Sequence, residues 1–125
     1  MTIDPAEAYD PGNIFARILR GEIPCNTVYE DEWALAFHDI APQAKVHVLV
    51  IPKGAYVSWD DFSIRASAEE IAGFVRAVGT VAREQDLVAP GYRLLANVGH
   101  HGGQEVPHLH VHLFGGQRLG RMIAP

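Results

Sequence analysis

A short segment near the end of the chain alternates between histidine and aliphatic residues. Residues 108–113 have the sequence His-Leu-His-Val-His-Leu. Because successive side chains of a β-strand point to opposite faces, we expect His108, His110 and His112 to share one face and the three aliphatic residues to share the other. We expect the aliphatic face to pack against a hydrophobic core. The row of imidazoles on the opposite face is then a candidate for binding or catalysis.

The rest of the chain predicts four more strands and two helices around this segment. The strands are 27–30, 33–38, 45–51 and 92–98, and the histidine strand itself covers 107–114. One helix is predicted over 14–20, after the N-cap Asn13. A second opens on Ser67 and Glu70, the spacing of a capping box, and its apolar face is predicted to be Ile71, Phe74, Val75, Val78 and Ala82. A glycine-rich loop is predicted over 99–103.

Short turns between most strands predict an α+β domain on an antiparallel sheet. Residues 1–11 are polar with two prolines and predict a flexible N-terminal arm, while 12–125 predict a single domain. The chain has 125 residues, 48% of them hydrophobic and 20% charged. That composition is typical of a globular domain and excludes a collagen-like or disordered chain.

Charge and cysteine content narrow the possible partners. The formal net charge is −5, which disfavours binding to nucleic acid through a basic surface. The first dozen residues have no Lys or Arg and so do not resemble a signal peptide, and the apolar runs are too short to span a membrane. Cys25 is the single cysteine, so no intrachain disulfide forms. We therefore expect a soluble cytoplasmic protein with no nucleic-acid or membrane partner.

Three alternating histidines are consistent with two kinds of chemistry. Three imidazoles could bind a catalytic zinc, or one neutral imidazole could act as a nucleophile beside proton donors and acceptors. An exposed polar strand is the alternative without function. Asn97 and Gln104 place neutral amides near the histidines, and Glu105 is the only nearby acidic residue. Amides and glycine N–H groups suit a phosphate, so the sequence favours phosphate chemistry over zinc.

Several segments together resemble the histidine triad (HIT) family. The resemblance rests on Gly103-Gln104-Glu105-Val106-Pro107-His108 and the histidine strand that follows, on Asn97, on 37–42, on His47 within 46–53, and on 13–15 with Ile23-Pro24. It covers roughly residues 12–116 and is closest to the nucleotide-binding branch. It implies a five-stranded antiparallel sheet with two helices that pairs into a continuous sheet in a homodimer.

The resemblance also implies an activity, which is hydrolysis of purine nucleoside phosphoramidates through a nucleotidyl group carried covalently by His110. In that scheme His112 contacts the phosphate and assists the leaving group, while His108 and His47 hold the proton relay. Asn97 and Gln104 match phosphate-binding positions, and Asp39 matches the residue that binds the ribose hydroxyls. The implied base and ribose pocket is Ile14, Phe15, Ile18, Phe37, His38 and Ile40. Glu105 and Val106 complete the implied nucleotide-binding set.

Three departures from relatives affect what the resemblance implies. Asn13, Ala16 and Ala55 occupy positions where some relatives carry structural zinc ligands, so we expect neither a metal nor another cofactor. Glu105 stands where a serine often contacts the leaving group, and the tryptophan-containing tail of some relatives is missing. The alternatives are a dinucleoside polyphosphate hydrolase of the same family, a nucleotide-binding regulatory or scaffold protein with incidental catalysis, and a zinc enzyme.

Overall fold

A five-stranded antiparallel sheet organises the part of the chain that the computed structural model describes, residues 3–123. Its strands are β1 (Thr27–Glu30), β2 (Ala34–His38), β3 (Val46–Pro52), β4 (Arg93–Leu95) and β5 (Val111–Gly115). Their spatial order is β1-β2-β3-β5-β4, and every neighbouring pair is antiparallel. The predicted α+β class and five-stranded antiparallel sheet are confirmed.

Four helices accompany the sheet in the described residues, where the sequence predicted two. They are α1 (Ile14–Leu19), α2 (Trp59–Arg65), α3 (Ala68–Glu84) and α4 (Gly99–Gly102). The predicted caps are confirmed, because Asn13 accepts from the Ala16 N–H and Ser67 forms a capping box with Glu70. Helix α2 was missed although Ser58 and Asp61 form a second capping box. Helix α4 is a single turn within the predicted glycine loop and ends at Gly103.

The histidine segment is a strand over only part of its predicted length. Strand β5 begins at Val111, so His108 and His110 lie in the segment that leads into it. Pro107 has no N–H to donate to a sheet, and the Leu109 N–H donates to the Tyr56 carbonyl instead of to a neighbouring strand. Strand β4 is also shorter than predicted and offers β5 a partner over three residues alone.

The alternation of the histidine segment with its aliphatic partners is nevertheless confirmed. Leu109, Val111 and Leu113 are at most 2% exposed and join the larger core cluster with Phe74 of α3. The predicted apolar face of α3 is correct except at Val75, which is 54% exposed. A second, smaller cluster lies around α1 and consists of Phe15, Leu35, Phe37, Leu49 and Ile51.

The segment predicted as a flexible arm lies against the domain over its described residues. Residues 3–11 form no helix or strand, yet Ile3 is 2% exposed. The Ile3 carbonyl and the Pro5 ring lie next to Gly99 at the start of α4. Within residues 3–123, none of the helices is both long enough and apolar enough to cross a lipid bilayer.

Candidate active site

An open cleft of about 300 Å³ lies where β3, β5 and the end of β2 meet. Its lining includes His47, His110 and His112 together with Asp39, Ala41, Gln43, Leu95, Asn97, Gly103, Glu105 and Phe114. The pairing of β3 with β5 brings two of the histidines together, because His112 pairs with Leu49 and His47 with Phe114. His47 and His112 are therefore diagonal neighbours on one face of the sheet.

His47 and His112 form a hydrogen bond whose direction follows from their neighbours. The Gln43 backbone N–H donates to Nδ1 of His47 at 3.2 Å, so this nitrogen is unprotonated. In a neutral ring the proton is then on Nε2, which lies 2.9 Å from Nδ1 of His112. His112 accepts at Nδ1 and therefore carries its own proton on Nε2. The pair thus leaves an N–H donor on the far side of His112.

His110 has the opposite arrangement of donor and acceptor. Its Nδ1 lies 2.8 Å from the carbonyl oxygen of His108. A carbonyl can only accept a hydrogen bond, so Nδ1 carries the proton and Nε2 of the neutral ring keeps an unshared electron pair. The His110 and His112 ring centroids are 5.1 Å apart, so a nucleophilic nitrogen and an N–H donor belong to neighbouring rings.

Burial keeps these imidazoles neutral at physiological pH. It lowers the pKa of His47 and of His110 below the ordinary value of 6.5. Burial is also the largest of the causes that lower the pKa of His112 to about 4; the neighbouring His110 and His47 contribute to the lowering, and Asp39 has a smaller opposing effect. A neutral ring is required for attack through a nitrogen lone pair, so the low-dielectric surroundings favour the nucleophilic form.

His108, the first histidine of the row, does not line the cleft. It is completely buried, and its Nε2 lies 3.0 Å from the Pro52 carbonyl oxygen. The phenol oxygen of Tyr9 lies 2.6 Å from its Nδ1. Burial is the largest cause that lowers the pKa of His108 to about 4. Of the four histidines predicted to form the reaction centre, the described structure therefore brings His47, His110 and His112 together in one cleft and places His108 outside its lining.

Asp39 stands at the mouth of the cleft with one oxygen engaged locally. Its Oδ1 accepts from the Ala41 N–H at 2.8 Å, and its Oδ2 is 3.5 Å from Nε2 of His47. Asp39, His47 and His112 offer donor atoms within 4.8 Å of one another. This spacing is compatible with a cation, although the direct bond between the two imidazoles occupies two of those atoms.

The three polar residues near the histidines occupy different environments. Asn97 and Glu105 line the cleft, but Gln104 is buried and turned inward. Its Oε1 accepts from the Gly99 N–H, and its Nε2 donates to two backbone carbonyls, those of Val57 and Val106. Gln104 thus positions the loop before the histidines, and its amide is fully engaged within the protein.

The residues expected to form a base and ribose pocket divide into two groups. Phe15, Phe37, Ile18 and Val106 belong to or pack against the smaller core cluster, and the Phe15 ring meets His110 edge-to-face at 5.0 Å. Ile14, His38 and Ile40 are exposed. The inner group supports the cleft, while the outer group forms open surface beside it.

Sequence reasoning missed two aromatic residues that contact the triad. Phe114 stacks on His112, with ring planes 2° apart and centroids at 5.6 Å. The ring centroids of Phe114 and His47 are 4.2 Å apart. The alternation that grouped the histidines places Phe114 on their face and could have identified it. Tyr9 carried no comparable signal, because it lies 99 residues away in sequence from its partner His108.

The fold and cleft define a class of proteins in which an antiparallel sheet and the segment that leads into one of its strands bring histidines together at a small polar site. Comparison with known proteins makes the assignment specific: the HIT domain family matches residues 20–119, and the chain belongs to that family. It is 66% identical over 118 residues to an uncharacterized 13.2 kDa HIT-like protein of Azospirillum brasilense, which covers 94% of this chain and 97% of the relative.

Two further relatives carry more descriptive names. A purine nucleoside phosphoramidase of Escherichia coli is 43% identical over 112 residues, which are 89% of this chain and 92% of that protein. The solved structure of a HIT family hydrolase from Clostridium thermocellum matches with a TM-score of 0.82 at 37% identity and covers 90% of this chain and 97% of that one. The fold expected from the histidine motif is thus confirmed by sequence and by structure.

The buried His108 is expected to make stability depend on pH. Its pKa falls from about 6.5 in the unfolded chain to about 4 in the fold, so below pH 6.5 the unfolded chain binds a proton that the fold excludes. The free energy of unfolding should therefore be intact above pH 6.5 and fall by about 3 kcal/mol between pH 6.5 and pH 4 on account of this group. Urea denaturation at several pH values measures it.

The matched variants are His108→Gln, which removes this titration, and His101→Gln, which alters an exposed histidine of α4. We expect His108→Gln to flatten the loss of stability below pH 6.5 and His101→Gln to leave it unchanged. Parallel curves for the wild-type protein and His108→Gln contradict the assignment of a neutral buried ring.

The inward amide of Gln104 gives a second prediction. Gln104→Glu replaces a donor that satisfies two backbone carbonyls by a buried carboxylate oxygen that repels them. We expect a loss of about 3 kcal/mol in the free energy of unfolding, because the carbonyls lose their partner and a charge is buried. Gln117→Glu is the control, since among residues 3–123 the Gln117 side chain makes its hydrogen bond through its oxygen, which accepts from the Lys45 N–H and is retained in glutamate. Equal stabilities for the two variants would argue against this function of Gln104.

Proposed function

We propose that this protein hydrolyses the phosphorus–nitrogen bond of purine nucleoside phosphoramidates and releases an amine and a purine nucleoside monophosphate. The observation that carries the proposal is the pair of opposite tautomers at His110 and His112. One ring offers a lone pair and its neighbour offers an N–H. The 43% identity to the purine nucleoside phosphoramidase of E. coli supports the choice of substrate class.

The proposed reaction has two displacements at phosphorus. In the first, Nε2 of His110 forms a bond to phosphorus as the phosphorus–nitrogen bond breaks, and the departing nitrogen takes a proton from His112, which is protonated to imidazolium once the anionic substrate is bound and becomes neutral in this step. In the second, water attacks phosphorus, returns a proton to His112 and frees His110. One water is consumed and one amine and one nucleotide are released. Dividing one hard displacement into two easier ones is the advantage of covalent catalysis.

His112 has to give and then recover a proton in this scheme. Burial lowers its pKa in the resting protein, which by itself opposes protonation. The negative charge of a bound phosphoryl group has the opposite effect and favours the protonated ring. The hydrogen bond from His47 fixes the ring so that Nε2 faces away from β3. His112 is therefore assigned as the acid for the leaving nitrogen and the base for the attacking water.

The remaining cleft residues are assigned to binding the nucleotide. Asn97 offers a neutral amide to phosphate oxygens, and Oδ2 of Asp39 is available as an acceptor for a ribose hydroxyl. Glu105 also lines the cleft. Its carboxylate disfavours a second anionic nucleotide as leaving group, because like charges in a small site repel. This favours phosphoramidates over dinucleoside polyphosphates, whose leaving group is itself a phosphate.

Replacement of the nucleophile tests the proposed activity. His110→Ala is expected to reduce turnover of an adenosine phosphoramidate by at least about 10³-fold, because the variant lacks the Nε2 lone pair that forms the bond to phosphorus. The purified protein is assayed for amine release, with circular dichroism as the check on folding. His101→Ala is the matched control and is expected to retain full activity.

The same assay separates the alternatives. Full activity in His110→Ala contradicts the proposed mechanism. Faster hydrolysis of a dinucleoside polyphosphate than of any phosphoramidate favours the sister activity, and tight nucleotide binding without turnover favours a binding protein. Loss of activity on thorough chelation, restored by zinc, favours a zinc enzyme that uses the Asp39, His47 and His112 cluster.

We also propose that two copies of the chain pair through the outer edge of the sheet. Strand β4 pairs with β5 alone in the described part of the chain. Beside it lies an apolar cleft of about 260 Å³ whose lining includes Trp59, Val75, Tyr92 and Leu94. All four side chains are at least 36% exposed. A free strand edge with adjacent exposed apolar residues fits a second copy of the same surface across a two-fold axis.

A charge at this edge tests the homodimer. Leu94→Asp is expected to shift sedimentation equilibrium from dimer to monomer, because the carboxylate would lose its water in a closed apolar interface. Ile64→Asp is the control, since Ile64 is more exposed than Leu94 and does not line the cleft. A monomeric wild-type protein at micromolar concentration contradicts the proposed pairing.

A further inference from the structure

Tyr9 lies outside the cleft and outside every role assigned above, yet it contacts the histidine row directly. Its phenol oxygen is 2.6 Å from Nδ1 of His108. The two rings meet edge-to-face, with centroids 5.5 Å apart and planes at 69°. Burial raises the pKa of the Tyr9 phenol, so the hydroxyl keeps its proton and can donate.

The direction of this hydrogen bond is fixed by the other side of the His108 ring. Nε2 of His108 faces the Pro52 carbonyl at 3.0 Å, and because a carbonyl only accepts, Nε2 carries the ring proton. Nδ1 of the neutral ring is therefore an acceptor, and Tyr9 is its donor. Both ring nitrogens are thus held, one by the end of β3 and the other by the N-terminal segment.

The held ring belongs to the residue that sets the tautomer of His110. The backbone carbonyl of His108 accepts the Nδ1 proton of His110 at 2.8 Å. Rotation of the His108 peptide plane would misdirect this carbonyl, and the hydrogen bonds that hold both nitrogens of the His108 ring oppose displacement of the residue. A continuous series of contacts therefore runs from Tyr9 to the His108 ring, from there to the His108 carbonyl, and on to the proposed nucleophile.

The segment that carries Tyr9 is itself anchored. Ile3 is buried, and its carbonyl and the Pro5 ring lie next to Gly99. Gly99 begins the turn that follows Asn97. Its φ is +67°, so any residue with a side chain would be strained at this position. The N-terminal segment thus contacts both the loop after β4 and the residue behind the nucleophile.

We propose that Tyr9 is a positioning residue of the active site, which holds the His108 ring so that the His108 carbonyl keeps the proton of His110 on Nδ1 and its lone pair on Nε2. The inference rests on the proposed function for its catalytic consequence. Its structural part, the tautomers of His108 and His110, is independent of any substrate.

Tyr9→Phe tests this role because it removes only the hydroxyl. On an adenosine phosphoramidate we expect kcat to fall about tenfold, the effect of one lost hydrogen bond, with KM unchanged within about twofold because Tyr9 does not line the cleft. Tyr29→Phe is the matched control, since it removes a phenol that donates to Asp31 far from the histidines in the sheet order. It is expected to leave kcat unchanged.

The dependence of kcat on pH distinguishes a lost hydrogen bond from a loss of packing, because a loss of packing alone would not shift its acid limb. A donor to Nδ1 favours neutral His108, so its removal raises the pKa of His108 and shifts the acid limb of kcat to higher pH. The titratable groups that act on His108 are His110, which lowers its pKa, and Asp61, which raises it. Both remain in Tyr9→Phe and Tyr29→Phe, so the hydroxyl is the variable.

Two-bond ¹H–¹⁵N correlation spectra of the resting protein provide the substrate-free test. We expect wild-type His108 protonated at Nε2 and His110 protonated at Nδ1. In Tyr9→Phe, the His108 Nδ1 signal should move toward that of a nitrogen without a hydrogen bond, and His110 should populate both tautomers. The control variant should match the wild-type protein.

The inference is overturned if Tyr9→Phe has the kcat, the acid limb and the His110 tautomer of the wild-type protein. It is also overturned if Tyr9→Phe and Tyr29→Phe lose equal fractions of kcat. If wild-type protein turns over no phosphoramidate, the proposed function fails separately, and the spectra alone then decide whether Tyr9 sets the two tautomers. An unchanged His110 tautomer in that case also overturns the inference.

Discussion

The antiparallel pairing of β3 with β5 is the interaction on which the site depends. It aligns Val46–Val50 with Val111–Gly115, and both strands carry aliphatic residues that are almost fully buried. A shift of one residue would move His112 to the core face and expose Val111 and Leu113. The hydrophobic effect on one face of the sheet therefore fixes the register, and the register places His47 against His112 on the other.

In the proposed function, the reactivity of the site comes from burial and from the direction of its hydrogen bonds and needs no basic surface. The chain has a net charge of −5, so a phosphate is not attracted by the overall field. In the proposed function, the phosphate is bound instead by neutral imidazoles, the Asn97 amide and backbone groups of the cleft. The His108 carbonyl can only accept a hydrogen bond, here from Nδ1 of His110, and the Gln43 N–H can only donate one, here to Nδ1 of His47. The His108 carbonyl thus determines which nitrogen of His110 is unprotonated, and the Gln43 N–H does so for His47 and, through it, for His112.

The sequence predicted most of the sheet and the histidine face because both follow from short-range alternation. The histidine motif and its flanking segments also led to the correct family. The direction of side chains outside the strands was less predictable. Gln104 turns inward because its amide accepts from one backbone N–H and donates to two backbone carbonyls. The Tyr9 contact joins residues 99 positions apart, and nothing local in either segment specifies it. Helix α4 is a single turn whose glycines equally suit a loop.

The central claim is that His110 forms a covalent bond to phosphorus during turnover. Mass spectrometry of protein quenched in alkaline denaturant, where a phosphorus–imidazole bond survives, tests it most directly with an adenosine phosphoramidate as substrate. We expect a nucleotidyl adduct on the peptide that contains residues 108–112, localised to His110 by fragmentation. Turnover without any adduct under single-turnover sampling, or an adduct on a different residue, would contradict it.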